Sequence, residues 1–289
     1  MSDADPPALV QPITRALAEL QTSIVSEGVR AFDGWLERFV IYTLIARLSG
    51  LPDPDAATPI SVHALAGSLG RPYETVRRHV NALAADGLCA REDNRIRAIQ
   101  PGLQRPHIER LVRATHDAFV RFVEHLALSG EPLPDRRPGI YDPATGVQAA
   151  ADIMLAVTQT NREKHAGWLD LVLFSTVAAG NCRVQPLGPA PSMAMRPVGA
   201  AAVARTIGIG QATVNRHLAA MTRTGQLRRS RDGYVLNRAW LDDPAAQAVT
   251  QLSLQNVRRL LGTVAAKGFP FDDPASAYLG ERPPLTAIG

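Results

Sequence analysis

Cysteine is scarce in this chain: Cys89 and Cys182 are the only two among 289 residues. That count excludes a disulfide framework and points to a reducing compartment. Both are expected as small buried hydrophobes, with a redox-sensing pair as the alternative. Lysine is nearly absent as well, since Lys164 and Lys267 are the only ones, so arginine carries almost all the positive charge. No apolar run approaches the roughly 18 residues that a membrane span needs. The opening Met-Ser-Asp-Ala-Asp-Pro-Pro is acidic and proline-bearing, which is wrong for a secretory signal. A soluble, cytoplasmic protein without membrane contact is the expectation.

Signals for catalysis are missing too. There is no Gly-x-x-x-x-Gly-Lys phosphate loop, no nucleophile elbow and no His/Cys/Asp set at metal spacing. His107, His116 and His125 stand nine apart and so spread around a helix instead of forming a metal pair. Gly208-x-Gly210 lacks the preceding strand that a dinucleotide site requires. No enzyme, metal or cofactor is expected.

What the chain does have is a repeat. In residues 61–69, Ser61 is placed to cap a short helix with Val62, Leu65, Ala66 and Leu69 at helical spacing. Gly70-Arg71-Pro72 makes a turn, and Pro72 suits the first position of a second helix over 73–83. Val76, Val80 and Leu83 share one face of that helix, while Glu74, Arg77, Arg78 and Asn81 share the other. Two short strands, 88–90 and 95–99, follow around Arg91-Glu92-Asp93-Asn94.

The echo lies 138 residues on. Thr213-Val214-Asn215-Arg216-His217-Leu218 matches Thr75-Val76-Arg77-Arg78-His79-Val80, Gly208 matches Gly70, and Gly225 matches Gly87. A second hairpin is expected from 226–229 and 234–236 around Asp232-Gly233, a strong turn signal. Trp168 follows Trp35 at a spacing of 133, so the repeated unit extends to a helix, a buried Trp-bearing helix, the motif and a closing helix.

Helix, turn, helix and hairpin at this spacing resemble the winged helix-turn-helix superfamily of bacterial transcription regulators. The likeness covers about 80 of the 289 residues and is carried by the Thr-Val-x-Arg-His helix and the strand after its closing glycine. It implies a mostly α fold with small β-hairpin wings: two tandem winged helix-turn-helix domains flanked by long helices, in an internal pseudo-twofold repeat. The expected organisation is a disordered 1–8, a first domain over 9–137 with its winged helix at 60–105, and a second over 138–289 with its winged helix at 197–238. The Pro- and Gly-rich stretch 130–146 is the linker between them, and the tail 269–289, with four prolines, is expected to pack loosely.

Charge placement points the same way. Residues 60–105 hold seven arginines against four acids, and residues 196–238 hold eight against Asp232 alone. The whole chain is only +4, so positive charge concentrates in the two motifs, where a phosphate backbone rewards it. Arg77, Arg78 and Asn81 are the candidates for base edges in the first copy, because Arg offers a fork to guanine O6 and N7. Arg71, Tyr73 and Thr75 are positioned for phosphates. Glu74 could accept from cytosine N4 or complement the helix N-terminus. In the second copy Gln211, Thr213, Asn215, Arg216 and Arg223 form the exposed face. The second hairpin adds Arg228, Arg229 and Arg231, suited to phosphates or a minor groove, and the first adds Arg91, Arg95 and Arg97, partly offset by Glu92 and Asp93. His79 and His217 are expected in helix packing or at phosphates.

Double-stranded DNA is therefore the expected partner, read by a nucleoid-associated regulator whose single chain acts as a covalent pseudo-dimer with reading helices roughly 34 Å apart. The helices outside the motifs could build a pseudo-twofold core, a homodimer seam or a pocket for a small-molecule effector. Two other functions stay open: a plasmid-type replication initiator and a tandem winged-helix protein-interaction module.

Overall fold

The computed structural model describes residues 12–49, 59–183 and 195–288. The expected disorder of 1–8, the helix-breaking stretch 51–55 and most of the loop 186–197 lie outside those residues. In chain order the elements are α1 (Pro12–Ala31), α2 (Leu36–Leu48), β1 (Ile60–Ser61), α3 (Val62–Leu69), α4 (Tyr73–Ala85), β2 (Cys89–Glu92), β3 (Arg95–Ala98), α5 (Gln100–Leu103) and α6 (Pro106–Leu128). They continue as α7 (Pro143–Thr160), α8 (Trp168–Asn181), α9 (Ala200–Ile207), α10 (Gln211–Arg223), β4 (Leu227–Ser230), β5 (Gly233–Leu236), α11 (Arg238–Leu241) and α12 (Pro244–Ala265). The protein is mostly helical with small antiparallel sheets. The order of elements repeats, including a four-residue helix after each hairpin (α5 and α11) that the sequence reading did not anticipate.

Two compact units make up the chain, one of residues 27–115 and the other of the remainder. Their boundaries fall inside α1 and α6, and the stretch 131–142 lies within the larger unit.

In the 27–115 unit, Ser61 caps α3 by accepting from Ala64 N–H at 3.0 Å. Gly70 then ends α3 in the left-handed region (φ 60°), which lets Arg71 N–H reach back to Ala66 C=O at 3.0 Å. Pro72 sits one position before α4, as its cap residue. Val76, Val80 and Leu83 on α4 are fully buried with Leu65 and Ile96, so burial of this apolar stripe holds α4 across α2 and α3. β1, β3 and β2 form a three-stranded antiparallel sheet in that order. The third strand was not legible in the sequence because it spans only Ile60 and Ser61, paired to Ile96 and Arg95.

The larger unit builds the same local structure. Gly208 ends α9 at φ 63°, and Val214, Leu218 and Met221 of α10 are buried. α8 is apolar on all sides, and every residue from Asp170 to Asn181 is buried. β4 and β5 pair as a two-stranded hairpin, and Val198 forms a bridge to Tyr234 beside it.

Three expectations need correction. The helix expected to carry Trp35 begins only at Leu36 and leaves Trp35 as its cap, because Asp33 (φ 51°) and Gly34 (φ 85°) occupy the left-handed region and break it from α1. Trp35 is thus 52 % exposed, with the Arg38 guanidinium 5.5 Å from its ring centre and His79 at its edge. In the larger unit, α7 starts at Pro143, inside the stretch 130–146 expected as a linker, because Asp142 caps it and proline suits its first position. The tail packs tightly at its start, where Phe269 is fully buried between Phe119, Tyr141 and Phe271, while most of residues 272–287 are exposed. Its proline-rich end is secured by hydrogen bonds from Arg121 to the Pro283 and Pro284 carbonyls and from Tyr278 to Glu124.

Candidate nucleic-acid interface

The outer face of α4 follows from its inner one. With Val76, Val80 and Leu83 buried, helical geometry turns Glu74, Arg77, Arg78 and Asn81 outward, and all four are exposed. With half-buried Thr75 they line a shallow, open depression on the helix. Tyr73, the first residue of α4, is also exposed, 6.1 Å from the His63 ring.

Most cations of this face have partners within the same unit. Arg77 donates through Nε and Nη2 to Glu74 Oε2, at 2.9 and 2.7 Å. That bond and the neighbouring carboxylate raise the Arg77 pKa further above its ordinary value. Arg71 pairs with Glu37 at 2.9 Å and Arg97 with Glu92 at 2.9 Å. Arg95 donates to the Pro59 carbonyl at 3.2 Å. Arg91 crosses from the hairpin to the helix, donating to Asn81 Oδ1 and, at 2.9 Å, to the Asp93 carbonyl. Arg78 makes no hydrogen bond or ion pair among the described residues.

The second copy presents a barer face. Gln211, Asn215, Arg216 and Arg223 on α10 are exposed, and Thr213 is half-buried. Arg228, Arg229 and Arg231 project from the β4–β5 hairpin, all exposed. Arg229 lies over the Tyr234 ring and donates to its hydroxyl at 2.8 Å. Arg216, Arg223, Arg228 and Arg231 make no hydrogen bond or ion pair among the described residues.

The matched histidines anchor the two helices from behind. His217 Nδ1 lies 2.6 Å from Asp170 Oδ1, and His79 Nε2 faces Glu37 at 3.8 Å. Burial holds the His79 imidazole below its ordinary pKa, while Glu37 pulls it upward. Each acid sits two residues after the repeated tryptophan, so the pairing could have been suspected from the two spacings together. The Arg91–Asn81 bond left no such trace, because it depends on how the hairpin folds over the helix.

Among the described residues, no group of three His, Cys, Asp or Glu could hold a metal ion, and no helix is long and apolar enough to cross a membrane. Cys89 and Cys182 are buried and free, and burial pushes both thiols up to about 12, so neither is a reactive thiolate. A cavity of about 70 Å³ in the larger unit is lined by Gln21, His165, Phe174, Ser175 and Trp240 among others. It is well below the roughly 300–1,000 Å³ of sites that enclose drug-sized ligands.

No family model, no curated protein and no solved structure matches this chain.

Proposed function

We propose that this protein is a sequence-specific, double-stranded-DNA-binding transcription regulator with two winged helix-turn-helix modules in one chain. The observation that carries the reading is the twice-repeated coupling of a buried stripe to a polar, arginine-bearing outer face. Val76, Val80 and Leu83 are buried behind exposed Arg77, Arg78 and Asn81, and Val214, Leu218 and Met221 behind exposed Asn215 and Arg216. A helix supported in this way, with a hairpin following a glycine turn, matches what a major groove admits. Arg77, Arg78 and Asn81 are the base-reading candidates, and Asn215 and Arg216 occupy the matching outer face of α10. Tyr73, Thr75, Arg95, Arg97, Gln211, Thr213, Arg223, Arg228, Arg229 and Arg231 are the phosphate-facing ones. Arg71 is given a supporting role, since its guanidinium already holds Glu37.

Selection of bound duplexes from a random pool, followed by electrophoretic shift at physiological salt, tests the reading. Wild type is expected to enrich one motif, and Arg77→Ala/Arg78→Ala to lose preference for it. Equal, weak and sequence-blind binding by both proteins would remove the specific-regulator reading.

A further inference from the structure

The two copies do not present the same electrostatics, although their backbones follow one plan. Residues 73–98 hold five arginines against four acids, a net charge of +1. Residues 211–236 hold five arginines against Asp232 alone, a net charge of +4. The partners sharpen the contrast. In the first copy Arg77, Arg91, Arg95 and Arg97 are all engaged within their own unit. In the second copy Arg216, Arg223, Arg228 and Arg231 are exposed with no hydrogen bond or ion pair among the described residues.

We propose, resting on the DNA-binding reading above, that the copies divide the work. α10 with its hairpin is the sequence-blind phosphate anchor, and α4 is the discriminating reader with Glu74 as its specificity residue.

The anchoring half follows from counterion release. Each arginine that meets a phosphate expels a condensed cation, and this gain is independent of sequence. An arginine without a partner in the unbound protein gives up nothing to make that contact. A face carrying a single acid adds little repulsion to set against it.

The discriminating half follows from Glu74. Exposed i,i+3 ion pairs are weak, so the Arg77 bond does not itself keep Arg77 from DNA. The carboxylate is what matters, because it remains on the face and repels phosphates. Glu74 Oε2 receives both Arg77 Nε and Nη2, so an acceptor and a donor fork are held side by side. Such a pair complements guanine O6 and N7 together with cytosine N4–H₂. A base pair without that amino donor in reach leaves the carboxylate desolvated and unpaired, which is rejection built into the reader. Ala212 stands at the matching position of α10, and no acid lies on that helix.

The test measures affinity against salt concentration for two duplexes, one recovered from the random-pool selection and one scrambled from it. Arg216→Ala/Arg228→Ala/Arg231→Ala is expected to weaken both duplexes by the same factor and to flatten the slope of log K against log salt by about 2–3, at about 0.9 per phosphate contact. Arg78→Ala/Arg91→Ala/Arg95→Ala is expected to flatten it by at most about 1. Lysine at the three second-copy positions keeps the slope, because a point charge still meets a phosphate, which separates lost charge from lost fold. Glu74→Gln is expected to tighten scrambled DNA and narrow the selected-to-scrambled ratio by roughly fivefold or more. A first-copy triple that flattens the slope as much as the second-copy triple overturns the division, as does a ratio unchanged by Glu74→Gln. A selection in which wild type retains no duplex at all overturns the DNA reading itself, an outcome distinct from those two.

Discussion

His217 and Asp170 meet at 2.6 Å, joining the inner flank of α10 to the first turn of α8. Asp170 is buried and stands near a helix N-terminus, where its charge is favoured. The imidazole therefore pairs with a buried carboxylate and ties α10 to α8. His79 and Glu37 repeat the pairing at 3.8 Å, with Arg71 sharing the same carboxylate.

His217→Ala is expected to destabilise the fold by about 1–3 kcal/mol, because it leaves a buried carboxylate unpaired. Asp170→Asn costs less, since an amide oxygen can still accept from the ring. A double-mutant cycle read by urea unfolding checks the contact, and additive effects of the two substitutions would show that it contributes nothing.

Asn181, at the end of α8, is a second joint. Its carboxamide donates to the carbonyls of Arg196 at 2.7 Å and Tyr234 at 3.1 Å, and accepts from Leu236 N–H at 2.9 Å. In the other unit Ser49 Oγ does one part of this, accepting from Ala98 N–H at 2.9 Å. Asn181→Leu is expected to cost roughly 2–3 kcal/mol, because the buried Leu236 N–H loses its acceptor and the Arg196 carbonyl its side-chain donor, while the Tyr234 carbonyl keeps Val198 N–H. Ser49→Ala is expected to cost about 1 kcal/mol. Denaturation midpoints of the two variants should fall in that order, and an equal loss would contradict it.

Gly70 and Gly208 close α3 and α9 at φ 60° and 63°. Nothing lies within 4 Å of a Cβ added at Gly70, so Gly70→Ala carries only the backbone cost of the left-handed region, about 1–2 kcal/mol. Gly70→Asn should cost less, since Asn visits that region. Gly102 poses the opposite problem: its φ is ordinary, but an added Cβ would stand 2.8 Å from Leu88 backbone. Thermal unfolding should therefore rank Asn above Ala at Gly70 and show no such relief at Gly102.

Acid should weaken the larger unit. Burial pushes both His125 and His165 down to about 4, against about 6.5 in an unfolded chain. Between those values the unfolded chain binds protons that the folded one refuses. Stability is then complete above pH 6.5 and declines as pH falls toward 4, by about 2 kcal/mol per histidine from pH 7 to 5. Glu19, pushed up by burial, acts with the opposite sign and blunts the decline. Urea midpoints at pH 7 and pH 5 measure the difference, and His165→Phe should shrink it.

Much of this architecture was written in short-range patterns. The 3.6-residue spacing of Val76, Val80 and Leu83, the glycines at 70, 87, 208 and 225, and the repeated Thr-Val-x-Arg-His helix specify local geometry that depends on neighbours within a turn or two. They gave the helices, the hairpins and the outward placement of Arg77, Arg78 and Arg216. Tertiary packing decided the rest. Whether Arg91 is occupied depends on its hairpin folding back to Asn81, and whether Arg71 is occupied depends on Glu37, far away along the chain. The tight seating of Phe269 likewise rests on contacts between distant segments. Ion pairs and burial are set by distances in space, which a linear pattern does not encode, so the unequal charge of the two motifs was legible in the sequence while the pairing of individual arginines was decided by the fold.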